Sequence, residues 1–304
     1  MNAPVLFLIY NRPEHTSRVF EAIRKMKPSY LFIAADGPRA NKPGDDVACN
    51  STRLIATSVD WPCKVMTFFR DENIGLRKAI PESISWFFEH VEEGIILEDD
   101  CLPTPGFFRL TQHLLERYRS DERIAHINGS NFLLGKKPDT KGSYYFSNIY
   151  HPWGWATWKR AWVYFDAEMA DLDSFISNDL MSHVTEKTTW RDSYYGLLIR
   201  TKRKEIDTWD YSWYYSLWKL RKISITPSVN LVSNIGFGSE GTNTNYNYSR
   251  LAGMKSHSLG RITDLDGIII NRKADEYALY VKFNEGRGNL IDRIKEKIRL
   301  MIKN

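Results

Sequence analysis

The N-terminal third of the chain repeats one unit. An apolar run of strand length, PVLFLIY, ends in Asn11-Arg12-Pro13-Glu14 and opens a helix-patterned segment that reaches Met26. YLFIAAD, KVMTFFR and GIILEDD repeat it, with helix-patterned segments over 47–58 and from Asn73-Ile74-Gly75 to about residue 91. Short apolar strands alternating with helices leave few folds open. Parallel strands need crossover connections, and the crossing helices cover the faces of the sheet. The expectation is an α/β fold with a mainly parallel sheet flanked by helices. In such sheets ligands bind beyond the carboxyl ends of the strands. The polar groups there become candidate site residues: Asn11, Arg12, Asp36, Asn73 and the run Glu98-Asp99-Asp100.

Further along, PGFFRLTQHLLERYRSD reads as a helix with Pro105 in its first turn, and RIAHINGSN as a fifth strand and loop. After Gly135 the pattern loosens into aromatics, Gly and Pro with no sustained period. Helices are expected near 173–184, 190–204 and 209–219. ISITPSVNLVSNIGFG suggests a late strand pair, and GSEGTNTNYNYS a polar loop. No internal repeat or low-complexity segment interrupts this plan.

Composition sets outer bounds. At 304 residues the chain can build one large domain or two smaller ones, and its 42% hydrophobic content is ordinary for a globular protein. Of ten Trp, eight fall between Trp153 and Trp218. Such a cluster suits a wall for a ring-shaped ligand, and equally an aromatic core. Three cysteines at spacings that fit no metal motif point to reduced thiols and a cytoplasmic location. MNAPVLFLIYNRPEH reads as a first strand rather than a signal peptide. No run reaches the ~18 apolar residues that span a bilayer. The tail RGNLIDRIKEKIRLMIKN places Leu290, Ile291, Ile294, Ile298 and Met301 at helical spacing beside Lys and Arg. That pattern fits either peripheral contact with an anionic membrane or a terminal helix docked on its own domain. The net charge of +5 is not concentrated in a basic, aromatic-interleaved sheet, so no nucleic-acid partner is expected.

The acidic run raises the sharpest chemical question. Adjacent carboxylates leaving an apolar strand repel each other and are costly to desolvate unless cations or donors compensate. Mn²⁺ or Mg²⁺ answers that need, because hard cations take carboxylate and phosphate oxygens together. A solvated acidic turn at the start of the next helix is the alternative.

On these residues IILEDDCLPTPGFF resembles the acidic metal segment of inverting glycosyltransferases of the N-acetylglucosaminyltransferase I type, which have the GT-A fold. PVLFLIYNRPEHTSRVFEAI, LFIAADG, HPWGWATWKRAW and TWDYSWYYSLW match further segments of that type in order, and together span 3–249. HPWGWATWKRAW is also similar to bacterial glycosyltransferase-like proteins labelled hemolytic. The resemblance implies a GT-A domain over 1–250, with a nucleotide-binding half at 1–130 and an acceptor half at 131–250. Residues 251–304 would then form a C-terminal extension.

Residue by residue, the resemblance implies Asp100 as the direct metal ligand, with Asp99 orienting the donor ribose or sugar and Glu98 supporting from behind or contacting the sugar. Arg12 matches a phosphate-side Arg. Asp36 matches an acid on the uracil side of UDP, and is otherwise an Asx-type turn with Gly37 and Pro38. Asn73 and Gly75 line the nucleotide or simply turn the chain into a helix. Arg77 and Lys78 are further phosphate candidates. Gly154 and Trp155 shape the sugar site. Asp210 is the catalytic base, with Asp207 as runner-up, since the family shows two adjacent acids here and this chain has Asp210-Tyr211. The alternative for Asp210 is a helix-capping role. Asn243 stands where a His is expected in related sequences, and His151 is an unassigned alternative.

The function this implies is metal-dependent, inverting transfer of a sugar, GlcNAc by the nearest kinship, from a UDP-sugar to a hydroxyl. A saccharide or glycolipid acceptor of a bacterial surface glycan would suit it. Two alternatives stay open. A sugar-nucleotide-forming nucleotidyltransferase would want a Gly-rich, basic signature after the first strand, which IYNRPEHTSR lacks. A non-catalytic carbohydrate-binding protein would not need the acidic run.

Overall fold

The structure is a computed structural model and describes residues 1–237 and 250–283. Strands β1 (Val5–Ile9), β2 (Tyr30–Ala35), β3 (Lys64–Phe69) and β4 (Glu93–Glu98) run parallel in the spatial order β3-β2-β1-β4. Helices α1 (Pro13–Met26), α2 (Asp45–Thr57) and α3 (Leu76–His90) join them. Central β1 shows why its sequence is apolar throughout. Val5, Phe7 and Ile9 pack with Val19 and Ile23 of α1 on one face, and Leu6 and Leu8 with Ile84 and Phe87 of α3 on the other. The α/β expectation holds here strand by strand.

The remaining elements are β5 (Cys101–Pro103), α4 (Pro105–Arg117), β6 (Ile124–Asn128), β7 (Tyr144–Ser147), β8 (Trp155–Trp158), α5 (Lys159–Trp162), α6 (Leu172–Ser177), α7 (Thr188–Lys202), α8 (Asp210–Lys219), β9 (Ile223–Pro227), β10 (Val232–Asn234) and α9 (Arg272–Phe283). The main sheet continues as β4-β8-β6-β9-β7. β8 lies antiparallel between β4 and β6, β9 runs parallel to β6, and β7 is antiparallel at the edge.

Two readings need correction. The expected late strand pair does not pair with itself: β9 joins the main sheet, whereas β10 forms a separate antiparallel ribbon with β5. The patternless aromatic stretch contains β7 and β8. All four residues of each are buried, so neither shows the alternation that marks a half-exposed strand.

The Trp cluster is core. Trp155, Trp162, Trp190, Trp209, Trp213 and Trp218 pack into one layer beside the sheet, Trp158 lies in the other, and Trp153 is half-buried. The described part of the C-terminal region joins the same body. Arg109 donates to the Leu259 carbonyl, His113 pairs with Asp264 at 2.8 Å, and Leu279 of α9 enters the Trp-rich layer. Among the described residues no helix is long and apolar enough to cross a bilayer. The basic tail and Asn243 lie outside the described residues.

Candidate active site

The carboxyl ends of β1, β2 and β4 bring two groups of acids together. The first is a closed network around Asp36 and Asp45. Asp36, just after β2, accepts hydrogen bonds from the amides of Gly37 (2.9 Å), Ile74 (3.1 Å) and Gly75 (3.0 Å) and from Asn73 Nδ2 (3.0 Å). An ionised carboxylate has about four lone-pair positions, so these donors fill it. Asp36, Asn73 and Gly75 are thus brought together as expected, with Asp36 spent on shaping the turn that carries the other two. Asn73 Nδ2 also reaches the Tyr10 hydroxyl at 3.2 Å.

Tyr10 donates in turn to Asp45 at 2.7 Å, and Asn11 Nδ2 does so at 2.6 Å. Arg39 donates from its amide at 2.8 Å and from Nη2 at 2.8 Å. The Arg39 hydrogen bonds hold the Asp45 carboxyl well below the usual range despite burial. Sequence reasoning missed Asp45, Tyr10 and Arg39. Asp45 stands first in α2, where an acid is unremarkable; Arg39 reaches it from the preceding loop, and the end of β1 adds Tyr10 and Asn11.

The second group is the acidic run at the end of β4. Arg12 Nη1 lies 2.9 Å from Asp100 Oδ2 and 3.6 Å from Asp99 Oδ1. The Tyr10 amide donates to Asp99 at 3.3 Å, and Cys101 Sγ sits 3.4 Å from Asp100 Oδ1. Arg12 precedes α1 directly, at the helix end where a cation is disfavoured. The two carboxylates across from it explain that placement. Glu98 faces inward, and its carboxyl is pushed well up, first by burial and then by Asp100 and Asp99, with a smaller push from Asp210. Burial, more than any neighbouring charge, also raises Asp99. Three acids therefore share one guanidinium.

The ribbon closes on Asp100. The Ile235 amide donates to its backbone oxygen at 2.8 Å, and a Cβ on Gly236 would fall 2.3 Å from its Oδ2. Only glycine permits this approach. His15 Nε2 of α1 holds the Ile235 carbonyl at 3.1 Å. Among the described residues no set of three or more His, Cys, Asp or Glu side chains is arranged to hold a metal alone. A divalent cation fits the excess negative charge, provided its remaining ligands come from a bound molecule.

Asp210 opens α8. Its Oδ1 accepts from the Thr208 hydroxyl and, at 3.0 Å, from the Tyr211 amide. Its charge adds the smallest of the pushes on the Glu98 carboxyl. Asp207, the runner-up, faces Gly75: its Oδ2 lies 4.0 Å from where a Gly75 Cβ would stand. Gly154 has φ +62° and packs against Val232 and Leu97, the residue before Glu98. Trp155 is fully enclosed, stacked 4.8 Å from His126 and 5.8 Å from Trp209. It would act on a sugar only by supporting its neighbours. Trp153 is half-buried, in edge contact with Phe237 at 5.4 Å, and borders the segment that covers Asp100. Arg77 is committed to the carbonyls of Thr201 and Ile206. His151 is buried against Phe132, 3.9 Å between ring centroids, and burial holds it neutral.

No protein-family model matches the chain, and no curated protein matches it in sequence. Partial structural similarity is found to many solved proteins, among them the following three. UDP-glucose pyrophosphorylase complexed with UDP-glucose aligns at TM-score 0.37 and 12% identity, over 75% of this chain and 90% of that one. Mouse xyloside xylosyltransferase 1 aligns at 0.35 and 9%, over 71% and 82%. HddC from Yersinia pseudotuberculosis aligns at 0.32 and 10%, over 52% and 77%. These overlaps are too slight to transfer an activity.

Proposed function

We propose that the chain is a metal-dependent glycosyltransferase that moves a sugar from a UDP-sugar to a hydroxyl of a saccharide or glycolipid acceptor. One observation carries the reading: three carboxylates at the carboxyl edge of a parallel sheet share one guanidinium, with a further acid, Asp210, close by. Self-contained ion pairs do not leave such an excess.

Asp100 would hold Mn²⁺ or Mg²⁺, with diphosphate oxygens completing the shell. The cation supplies charge neutralisation for the leaving diphosphate. Arg12, already aimed at Asp100, would turn part of its donor fork to the same phosphates. Glu98 and Asp99 would orient the donor sugar and ribose. Asp210 would take the acceptor hydroxyl proton as that oxygen bonds to the anomeric carbon. The carbon–oxygen bond to UDP breaks with its electron pair on the departing phosphate. Attack from the face opposite UDP inverts the anomeric centre. The closed Asp36–Asp45 network supports the turn presenting Asn73 and Gly75 to the nucleotide.

The test is calorimetry of UDP with and without Mn²⁺ on wild type and Asp100→Ala. The proposal expects binding that needs metal and fails in the variant. UDP binding that is indifferent to both would exclude the metal assignment. No UDP binding under any condition would leave a carbohydrate-binding surface beside an acidic turn.

A further inference from the structure

We propose that Thr208 is the positioning residue of the Asp210 carboxylate, an inference that rests on the transferase reading above. Thr208 is 7% exposed and stands two residues before α8. A Thr near a helix start ordinarily caps it by accepting from a backbone amide one turn in. That is not its work here. The N-cap of α8 is Trp209, and no side chain caps the helix. The Thr208 hydroxyl instead spends its single proton on Asp210 Oδ1.

The Tyr211 amide donates to that same oxygen. Two donors converging on Oδ1 anchor that oxygen and set the plane of the carboxylate, while the Tyr214 hydroxyl stands against the same carboxyl. A general base needs such anchoring, so that its second oxygen can meet a substrate proton in a fixed direction. The β-branched Thr adds stiffness, because its χ1 is restricted. The groups facing this carboxylate are Glu98 from β4, Tyr194 from α7, and Tyr211 and Tyr214 from α8, with Lys282 of α9 over the three tyrosine rings. Burial is the main cause that pushes the Tyr194 and Tyr214 hydroxyls well up, so they remain neutral.

The experiment measures UDP release with Mn²⁺ and water as acceptor, from UDP-N-acetylglucosamine, UDP-glucose, UDP-galactose and UDP-xylose. Wild type, Thr208→Val, Thr208→Ser and Asp210→Asn are compared, with UDP calorimetry as the check that each is folded. Thr208→Val is expected to lower kcat ~10-fold or more, the scale of one lost hydrogen bond to a charged group. KM should stay unchanged, the acidic limb of the pH profile should move to higher pH, and Thr208→Ser should restore both. Thr208→Val at wild-type kcat and an unmoved limb, beside an inactive Asp210→Asn, overturns the positioning inference alone. A fully active Asp210→Asn, or a wild type that releases no UDP, overturns the transferase reading beneath it. Carbon-13 titration of the Asp210 carboxyl, assigned by its loss in Asp210→Asn, tests the contact without turnover. A pKa identical in wild type and Thr208→Val refutes it.

Discussion

Asp45 and Glu98 are both buried or inward-facing acids at the carboxyl edge of one sheet, yet they sit in opposite electrostatic conditions. Asp45 gathers Arg39, Tyr10 and Asn11, and its carboxyl is held down by them. Glu98 lies among Asp99, Asp100 and Asp210, and its carboxyl is driven up. The first region is complete within the protein. The second is short of positive charge. A site for an anion alone would not be built this way, whereas a site for a cation together with a nucleotide diphosphate would. Stability is therefore expected to depend on the first region and ligand affinity on the second.

The largest effect should follow from breaking the closed network. Asp45→Ala leaves the Tyr10 hydroxyl, the Asn11 amide and Arg39 without their acceptor. We expect a loss of about 3 kcal/mol in urea unfolding, the scale of the Tyr10 and Asn11 donors left without an acceptor, since the Arg39 side chain is itself partly exposed. Unchanged stability would remove the distinction between the two regions.

Gly236→Ala comes next. Its methyl would meet Asp100 Oδ2 and Cβ, so Asp100 or the ribbon must shift. UDP–Mn²⁺ affinity should fall ~10-fold or more by calorimetry, with ~1–3 kcal/mol lost from overpacking. Wild-type affinity would show that Asp100 is not a ligand.

Glu98→Gln should act in the opposite sense on the free protein. Removing one acid from a negative cluster should leave urea stability unchanged or raise it by about 1 kcal/mol. Metal-dependent UDP binding should weaken. A marked loss of stability would mean that Glu98 is a structural acid like Asp45.

The smallest effect at neutral pH concerns His126, buried between Trp155 and Trp213. Its Nε2–H donates to the His151 carbonyl and its Nδ1 accepts from the Trp213 indole. Burial lowers its pKa from 6.5 to about 3. Because the folded value lies below the unfolded one, its contribution is present above about pH 6.5 and is lost as pH falls towards 3. His126→Gln keeps a donor and an acceptor but does not titrate. Between pH 6 and 4, stated on the ~1.4 kcal/mol per unit scale of one proton, the variant should lose less stability than wild type. Parallel pH curves would show that His126 is protonated in the fold.

Much of the N-terminal half was legible in the sequence. Apolar strands ending in polar residues, each followed by a helix pattern, predict parallel strands and a common carboxyl edge. Arg12, Asp36, Asn73 and the acidic run do meet there. The aromatic half was not legible, because β7 and β8 are buried on both faces and carry no period. Trp155 illustrates the limit. Its place beside Gly154 reads like a sugar wall, but in the fold it is enclosed by His126 and Trp209. Whether a Trp faces ligand or core depends on what arrives at its other side.

What the sequence alone determined is the alternating α/β plan, the edge at which polar groups collect, and the surplus of acid after β4. These are local properties: strand and helix periods, turn residues and charge along the chain. Only the tertiary structure decided which acids are satisfied. Asp45 is held down first by Arg39 of the preceding loop, and its network is completed by Tyr10 and Asn11 from the end of β1. Partners far apart in the chain meet only when the sheet forms, and in a low-dielectric interior such meetings set which carboxylates are satisfied and which are left short of positive charge.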